Sequence, residues 1–297
     1  ESAVIPSRGN YLLTSTYEPM GVVAAITPWN SPISLEAQKL APALAAGNAV
    51  VLKSSEVTPM VGLEYGKLVL EAGFPPGVVN VVTGGVDVGR ALVGHAGVDM
   101  VTFTGGVAGG RAVARAAAER LVPALLELGG KSPNIIFDDA DIDHAVIGAS
   151  YGIFSNAGQS CIAGSRIFVQ DSIYDEFAQR LTAAVKRLTV GDPFDASTAV
   201  APVSSFQHRD RILSMVGQAL NEGTRALCGG ARLEGGAYDR GAYVAPTVLE
   251  LPSNQARIAQ EEIFGPVACL LRFGDEDDLA VEVAADRGDD LVGDVAE

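Results

Sequence analysis

Cysteine is scarce: Cys161, Cys228 and Cys269 are the only three in 297 residues. A small, odd number in a chain of this length argues against a disulfide scaffold and suits a reducing compartment, so a cytoplasmic setting is expected. Proline numbers only 15, and the 34 glycines follow no repeat, which excludes collagen-like and low-complexity chains. Basic charge is short as well. The 21 Lys and Arg face 36 Asp and Glu, a net −15, so no basic surface for nucleic acid is expected. No run of about 18 apolar residues occurs, so no membrane span is expected. No basic stretch followed by an apolar one opens the chain, so no secretory leader is read there. His95, His144 and His208 share no ligand spacing with the cysteines, and no metal is expected.

Apolar residues, by contrast, make up 48% of the chain and charged ones 19%, enough for a buried core. The length suits two domains at about 150 residues each. Strand-like runs alternate with helical patterns: Val22–Ile26, Leu35–Ala46, Ala49–Lys53, Pro59–Ala72, Val78–Val82, Asp87–Val93, Met100–Thr104, Ala108–Glu119 and Ala124–Leu128. This alternation predicts βαβ units and a parallel sheet. It resumes after Gly129-Gly130 with Asn134–Phe137, Ile142–Phe154, Ile167–Val169, Ile173–Leu188 and Ser204–Glu222. Paired glycines let the backbone pass between units, so a domain junction is placed there. Residues 1–19 read as a β-hairpin. Residues 274–297 carry −9 of the net charge and read as a divergent or disordered acidic tail.

Six segments carry candidate chemistry. After a helical pattern ends at Phe154, a loop rich in small polar residues, Ser155-Asn156-Ala157-Gly158-Gln159-Ser160, delivers Cys161. This cysteine is either a nucleophile or a small buried hydrophobe. Glu127, in Leu125-Leu126-Glu127-Leu128, is a carboxylate inside an apolar strand end. Burial there would raise its pKa toward a general base, and an ion pair with Lys131 is the plainer alternative. Asn30, in Thr27-Pro28-Trp29-Asn30-Ser31-Pro32, follows a strand and could donate to an oxyanion, or simply make a turn. Lys53 and Glu56 follow another strand and could bracket a sugar diol. Gly105 and Gly106 lie between a strand and a helix, as in phosphate-binding turns, though the pattern is not a full G-x-G-x-x-G. Glu262 and Phe264 lie in Glu261-Glu262-Ile263-Phe264-Gly265-Pro266, which alone reads as a turn.

Together and in this order, from about Tyr11 to about Phe273, these segments closely resemble the aldehyde dehydrogenase superfamily. The 34 residues from Glu127 to Cys161 also agree with its pattern. The resemblance implies an α/β fold with a Rossmann-like parallel-sheet cofactor domain over 20–129 and a second α/β catalytic domain over 130–273. It implies that Cys161 attacks an aldehyde, that Asn30 donates to the oxyanion, and that Glu127 activates the water that hydrolyses the thioester. It places Lys53 and Glu56 at the adenosine ribose, Gly105 and Gly106 at the phosphate turn, and Glu262 with Phe264 at the nicotinamide ribose. A carboxylate at position 56 accepts from a 2′-hydroxyl and repels a 2′-phosphate, so NAD is expected over NADP. By alignment Ser31, Ser34, Leu35, Gln38, Ser155, Ser160 and Ile162 line the substrate tunnel, and their small polar character points to a polar aldehyde. The hairpin over 1–19 resembles the family's oligomerisation hairpin, so a homo-oligomer is expected of the full-length family.

The resemblance is to an internal part of the family. A further family motif is replaced at Asp289-Asp290. A truncated or frameshifted gene, or an incomplete gene model, accounts for this. The competing expectation is therefore a catalytically inactive remnant, and the 297-residue chain alone is expected to be inactive or nearly so.

Overall fold

The computed structural model describes residues 3–5 and 9–284, which divide between Gly129 and Gly130 into two units. The motif read at Asp289-Asp290 lies outside the described residues. β1 (Ala3–Ile5) and β2 (Leu13–Ser15) pair antiparallel as a hairpin.

In the first unit, β3 (Val22–Ile26), α1 (Pro32–Ala45), β4 (Ala49–Lys53), α2 (Pro59–Glu71), β5 (Val79–Val82), α3 (Val86–Gly94), β6 (Met100–Thr104), α4 (Val107–Glu119) and β7 (Ala124–Glu127) alternate along the chain. Proline opens both α1 and α2, where its missing N–H is lost at no cost. The five strands run parallel in the order β5-β4-β3-β6-β7. Chain order reverses between β3 and β6. The two faces of β3 enter separate apolar clusters: Ala24 and Ile26 pack with Val98, Val101 and Val113, whereas Val23 and Ala25 pack with Leu40, Val50 and Leu52. Burial on both faces explains why these strands read as unbroken apolar runs.

The second unit holds β8 (Pro133–Ile136), α5 (Ile142–Phe154), β9 (Arg166–Gln170), α6 (Asp171–Val185), α7 (Phe206–Asn221), β10 (Arg225–Cys228), β11 (Thr247–Glu250), α8 (Arg257–Gln260), β12 (Val267–Phe273) and α9 (Glu276–Ala284). Its sheet order is β10-β11-β12-β9-β8, parallel except for the β10–β11 pair. Phe168, Phe177, Leu181, Ile212 and Leu270 sit at the centre of one apolar core. The chain is thus α/β with parallel sheets in both units.

Residues 276–284, read from charge as part of a tail, form α9. The Asp275 carboxylate accepts from the Asp278 N–H, and acids fill the first turn, where the helix dipole favours them. Leu279 anchors the helix in the core.

Candidate active site

In the first unit the chemistry-bearing turns leave the carboxyl ends of parallel strands. In register, Ile26 lies beside both Lys53 and Phe103, and Thr104 lies beside Glu127. The turns after β3 and β6 flank the point where strand order reverses, the place where open α/β sheets take ligands. Asn30 stands four residues past β3 and is half-buried. The Thr27 N–H donates to the Lys53 carbonyl at 3.2 Å, which ties the Asn30 turn to the turn after β4. The buried Lys53 ammonium pairs with Glu56 at 3.2 Å. The Glu56 carboxyl is held below its usual range, first by its own backbone N–H and then by Lys53, against its partial burial.

The amino end of α4 has neither a side-chain cap nor an acid in its first turn. Its N–H groups are therefore left for an anion. A Cβ built on Gly106 meets nothing within 4 Å, so a ligand can approach the backbone, whereas one on Gly105 would lie 2.6 Å from the Phe103 ring. The Gly105 N–H donates to the Glu127 carbonyl at 3.0 Å.

Glu127 is exposed, which corrects the expectation of a buried carboxylate. The cause is the position of β7: among the described residues it is an edge strand of this sheet, paired only with β6. Along α1, Ser31, Ser34, Leu35 and Gln38 share one face at helical spacing. Ser31 and Leu35 are half-buried, and Ser34 and Gln38 are exposed. The opposite face buries Glu36, Lys39 and Leu40. Lys39 donates to the Thr102 hydroxyl at 2.9 Å. Burial pulls its pKa down to about 8, with the Glu127 carboxylate opposing.

In the second unit the candidates gather at the opposite kind of edge, the amino ends of β8, β9 and β12. These three strands are neighbours, and Arg166 is in register with both Pro133 and Cys269. The segments entering them are Gly130–Ser132, Cys161–Ser165 and Glu262–Pro266. A Cβ on Gly130 would stand 3.7 Å from the Cys161 carbonyl oxygen. The Gly130 N–H donates to the Glu262 carboxylate at 3.3 Å. Burial raises the Glu262 pKa, while this N–H, Arg211 and Lys131 pull it down.

The loop to Cys161 turns through three successive left-handed residues, Asn156, Ala157 and Gly158, with φ of 50°, 53° and 72°. Side chains hold it there. Asn156 Nδ2 donates to the Gln159 carbonyl at 3.1 Å, and Gln159 Nε2 returns a bond to the Asn156 carbonyl at 3.0 Å. The Gln159 side-chain oxygen then accepts from the Ser204 N–H at 2.8 Å. Cys161 emerges half-buried, between half-buried Ser160 and exposed Ile162; Ser155, at the start of the turn, is half-buried. Burial pushes the thiols of Cys228 and Cys269 upward, which disfavours both as nucleophiles.

Two residues of α7 fix the Glu262–Phe264 segment. Arg211 donates to the carbonyls of Glu262 at 2.8 Å and Ile263 at 3.1 Å. His208 Nε2 lies 2.7 Å from the Phe264 carbonyl, and Phe264 itself sits at φ 58°. Three consecutive carbonyls are thereby held from one helix. In the sequence His208 stands out only as a possible metal ligand, and Arg211 belongs to no motif. Their spacing of three on a helix is the signal that puts them on one face. Among the described residues no group of three His, Cys, Asp or Glu could hold a metal ion, and no helix is long and apolar enough to cross a membrane.

The profile of the aldehyde dehydrogenase family matches residues 1–289. Retinal dehydrogenase 2 of Gallus gallus is 46% identical over 277 residues, covering 93% of this chain and 53% of that protein. The chain therefore spans about half the length of the curated relatives it matches. PnpE from Pseudomonas sp. WBC-3 is 44% identical with a TM-score of 0.92, over 95% of this chain and 58% of that one. PnpE is also known in complex with nicotinamide adenine dinucleotide. Betaine aldehyde dehydrogenase of Staphylococcus aureus, a variant solved with NAD+, is 44% identical with a TM-score of 0.88, over 91% and 54%.

Proposed function

From the premise that the chain belongs to the aldehyde dehydrogenase family, we propose that it carries the NAD site and the nucleophile of an enzyme oxidising an aldehyde to a carboxylic acid. The observation that carries this reading is the grouping of Cys161, Gly130 and the Glu262 carboxylate at one sheet edge. The fit to NAD rests on this chain's own geometry. The uncapped amino end of α4 and the open space at Gly106 suit a pyrophosphate. The Lys53–Glu56 pair suits the adenosine ribose, and the carboxylate favours NAD over NADP.

In this reading the Cys161 thiolate adds to the carbonyl carbon and forms a thiohemiacetal. Asn30 and the Cys161 N–H donate to its oxyanion; one such donor is worth roughly 10²–10³ in rate. NAD held by Lys53, Glu56 and the Gly105–Gly106 turn would supply the hydride acceptor for the thiohemiacetal carbon. The thioester left on Cys161 is then hydrolysed by a water whose proton Glu127 takes, and the exposure of Glu127 keeps that carboxylate in reach of water. Ser31, Ser34, Leu35, Gln38, Ser155, Ser160 and Ile162 would face the substrate, and the four serines and one glutamine among them favour an oxygenated aldehyde. The β1–β2 hairpin would serve assembly into a homo-oligomer, and three cysteines with no disulfide partner support a cytoplasmic setting.

The test is NADH formation from a panel of polar and apolar aldehydes, with NAD and with NADP. Turnover with NAD, lost in Cys161→Ala, would support the enzyme reading and overturn the expectation that the 297-residue chain alone is inactive. A folded protein that binds NAD without turnover would favour the inactive-remnant reading instead.

A further inference from the structure

Glu36 is a carboxylic acid with 0% exposure, set on the face of α1 that packs against the sheet. A buried carboxyl with no cation beside it is costly unless other groups satisfy it. Its surroundings are two strand-end turns. On one side Oε1 accepts from the Thr27 hydroxyl at 3.4 Å. Thr27 is the first residue of the turn that carries Asn30. On the other side Oε2 faces Ser54, which follows Lys53 directly and begins the turn to Glu56. Both the Glu36 Oε2 and Ser54 Oγ atoms are shut off from solvent, and among the described residues neither has a hydrogen-bond partner. They share one small space under α2: a Cβ on Gly62 would lie 2.0 Å from Ser54 Oγ and 3.4 Å from Glu36 Oε2. Burial raises the Glu36 pKa, and the Ser54 and Thr27 hydroxyls pull it back.

We propose that Glu36 is a positioning residue for the cofactor: a buried bridge that fixes the Lys53–Glu56 turn against the Thr27–Asn30 turn. The inference rests on the reading of Lys53 and Glu56 as the ribose-binding pair. The bridge works in either protonation state. As a carboxylate it accepts from the Thr27 hydroxyl and presents Oε2 as an acceptor toward Ser54, and as the neutral acid it has a proton to offer Ser54 while still accepting from Thr27. An amide at this position repeats the neutral pattern, whereas a leucine of similar bulk leaves two buried hydroxyls without it.

The experiment measures NAD binding through the fluorescence of Trp29, the one tryptophan of the chain, together with steady-state kinetics and thermal unfolding. Glu36→Leu should weaken NAD binding and raise its KM about tenfold, with the KM for aldehyde little changed, because displacement of a positioning group acts on the ligand it positions. Glu36→Gln should restore both values to within about threefold of wild type, since it keeps the bridge. Ser54→Ala, which removes one hydroxyl and adds no bulk, should weaken NAD in the same direction if Glu36→Leu does not fold. Unchanged NAD affinity in Glu36→Leu or Ser54→Ala, with only a lower melting temperature, would overturn the inference alone. A wild-type protein that does not bind NAD would overturn the cofactor reading and this inference with it.

Discussion

Gly158 and Gly265 touch through their backbones: a Cβ on Gly158 would lie 2.0 Å from the Gly265 carbonyl oxygen and 2.8 Å from the Pro266 nitrogen. Gly158 also holds φ +72°, in the left-handed region. This contact seats the loop carrying Cys161 against the segment carrying Glu262 and Phe264. Only the absence of a side chain allows it.

Gly158→Ala should therefore lower aldehyde oxidation by more than about 100-fold, the scale of a misplaced nucleophile, and lower the melting temperature as well. Activity within about tenfold of wild type would show that the two loops need not meet this way.

Arg211 holds the carbonyls of Glu262 and Ile263. Hydrogen bonds from a charged donor are worth about 1.5–3 kcal/mol each. Arg211→Met should lower kcat/KM for NAD by about 10–100-fold on that scale, with the KM for aldehyde nearly unmoved. An equal loss toward both substrates would mean that Arg211 serves general stability instead.

His208 carries a pH signature. Burial lowers its pKa in the fold, the Phe264 carbonyl raises it, and Arg211 lowers it. The unfolded chain therefore binds this proton at a higher pH than the folded chain does. Its contribution is complete above the unfolded value of about 6.5 and is lost as pH falls through the lower, folded one. The stability difference between wild type and His208→Gln should thus shrink on going from about pH 8 to about pH 5. Denaturant titrations across that range check it; a difference that grows toward acid would reverse the sign.

Leu121 stands 91% exposed at φ 57°, just past α4. A left-handed conformation costs an ordinary residue roughly 1–2 kcal/mol, offset in part by the extra freedom glycine has when unfolded. Leu121→Gly should stabilise the chain by about 0.5–1 kcal/mol and leave activity alone. Destabilisation in chemical denaturation would show that Leu121 makes contacts which outweigh its backbone strain.

How much of this was legible in the sequence differs by element. Val22–Ile26, Ala49–Lys53 and Met100–Thr104 were read to the residue, because β-branched runs bounded by turn residues leave few alternatives. No helix or strand was assigned beyond Glu222, where β10, β11 and β12 lie. Val267–Phe273 is buried along nearly its whole length, so it lacks the alternation that marks a half-buried strand. The motifs named Asn30, Lys53, Glu56 and Cys161. They could not show that β7 is an edge strand, which is why Glu127 was expected to be buried. Arg211 and His208 act on residues more than fifty positions away, and the Gly130 N–H belongs to the backbone, so no residue type announces any of them. Glu36 belongs to no motif, and only the packing of α1 against the sheet buries it.

The central claim is that Cys161 becomes acylated by oxidation of a bound aldehyde and that Glu127 releases the acyl group. Glu127→Gln should retain acylation and lose release. Mass spectrometry of that variant, mixed with aldehyde with and without NAD, tests both parts at once. The account predicts an acyl adduct on the peptide containing Cys161, formed only when NAD is present. No adduct, or one that forms without NAD or on Cys228 or Cys269, would contradict it.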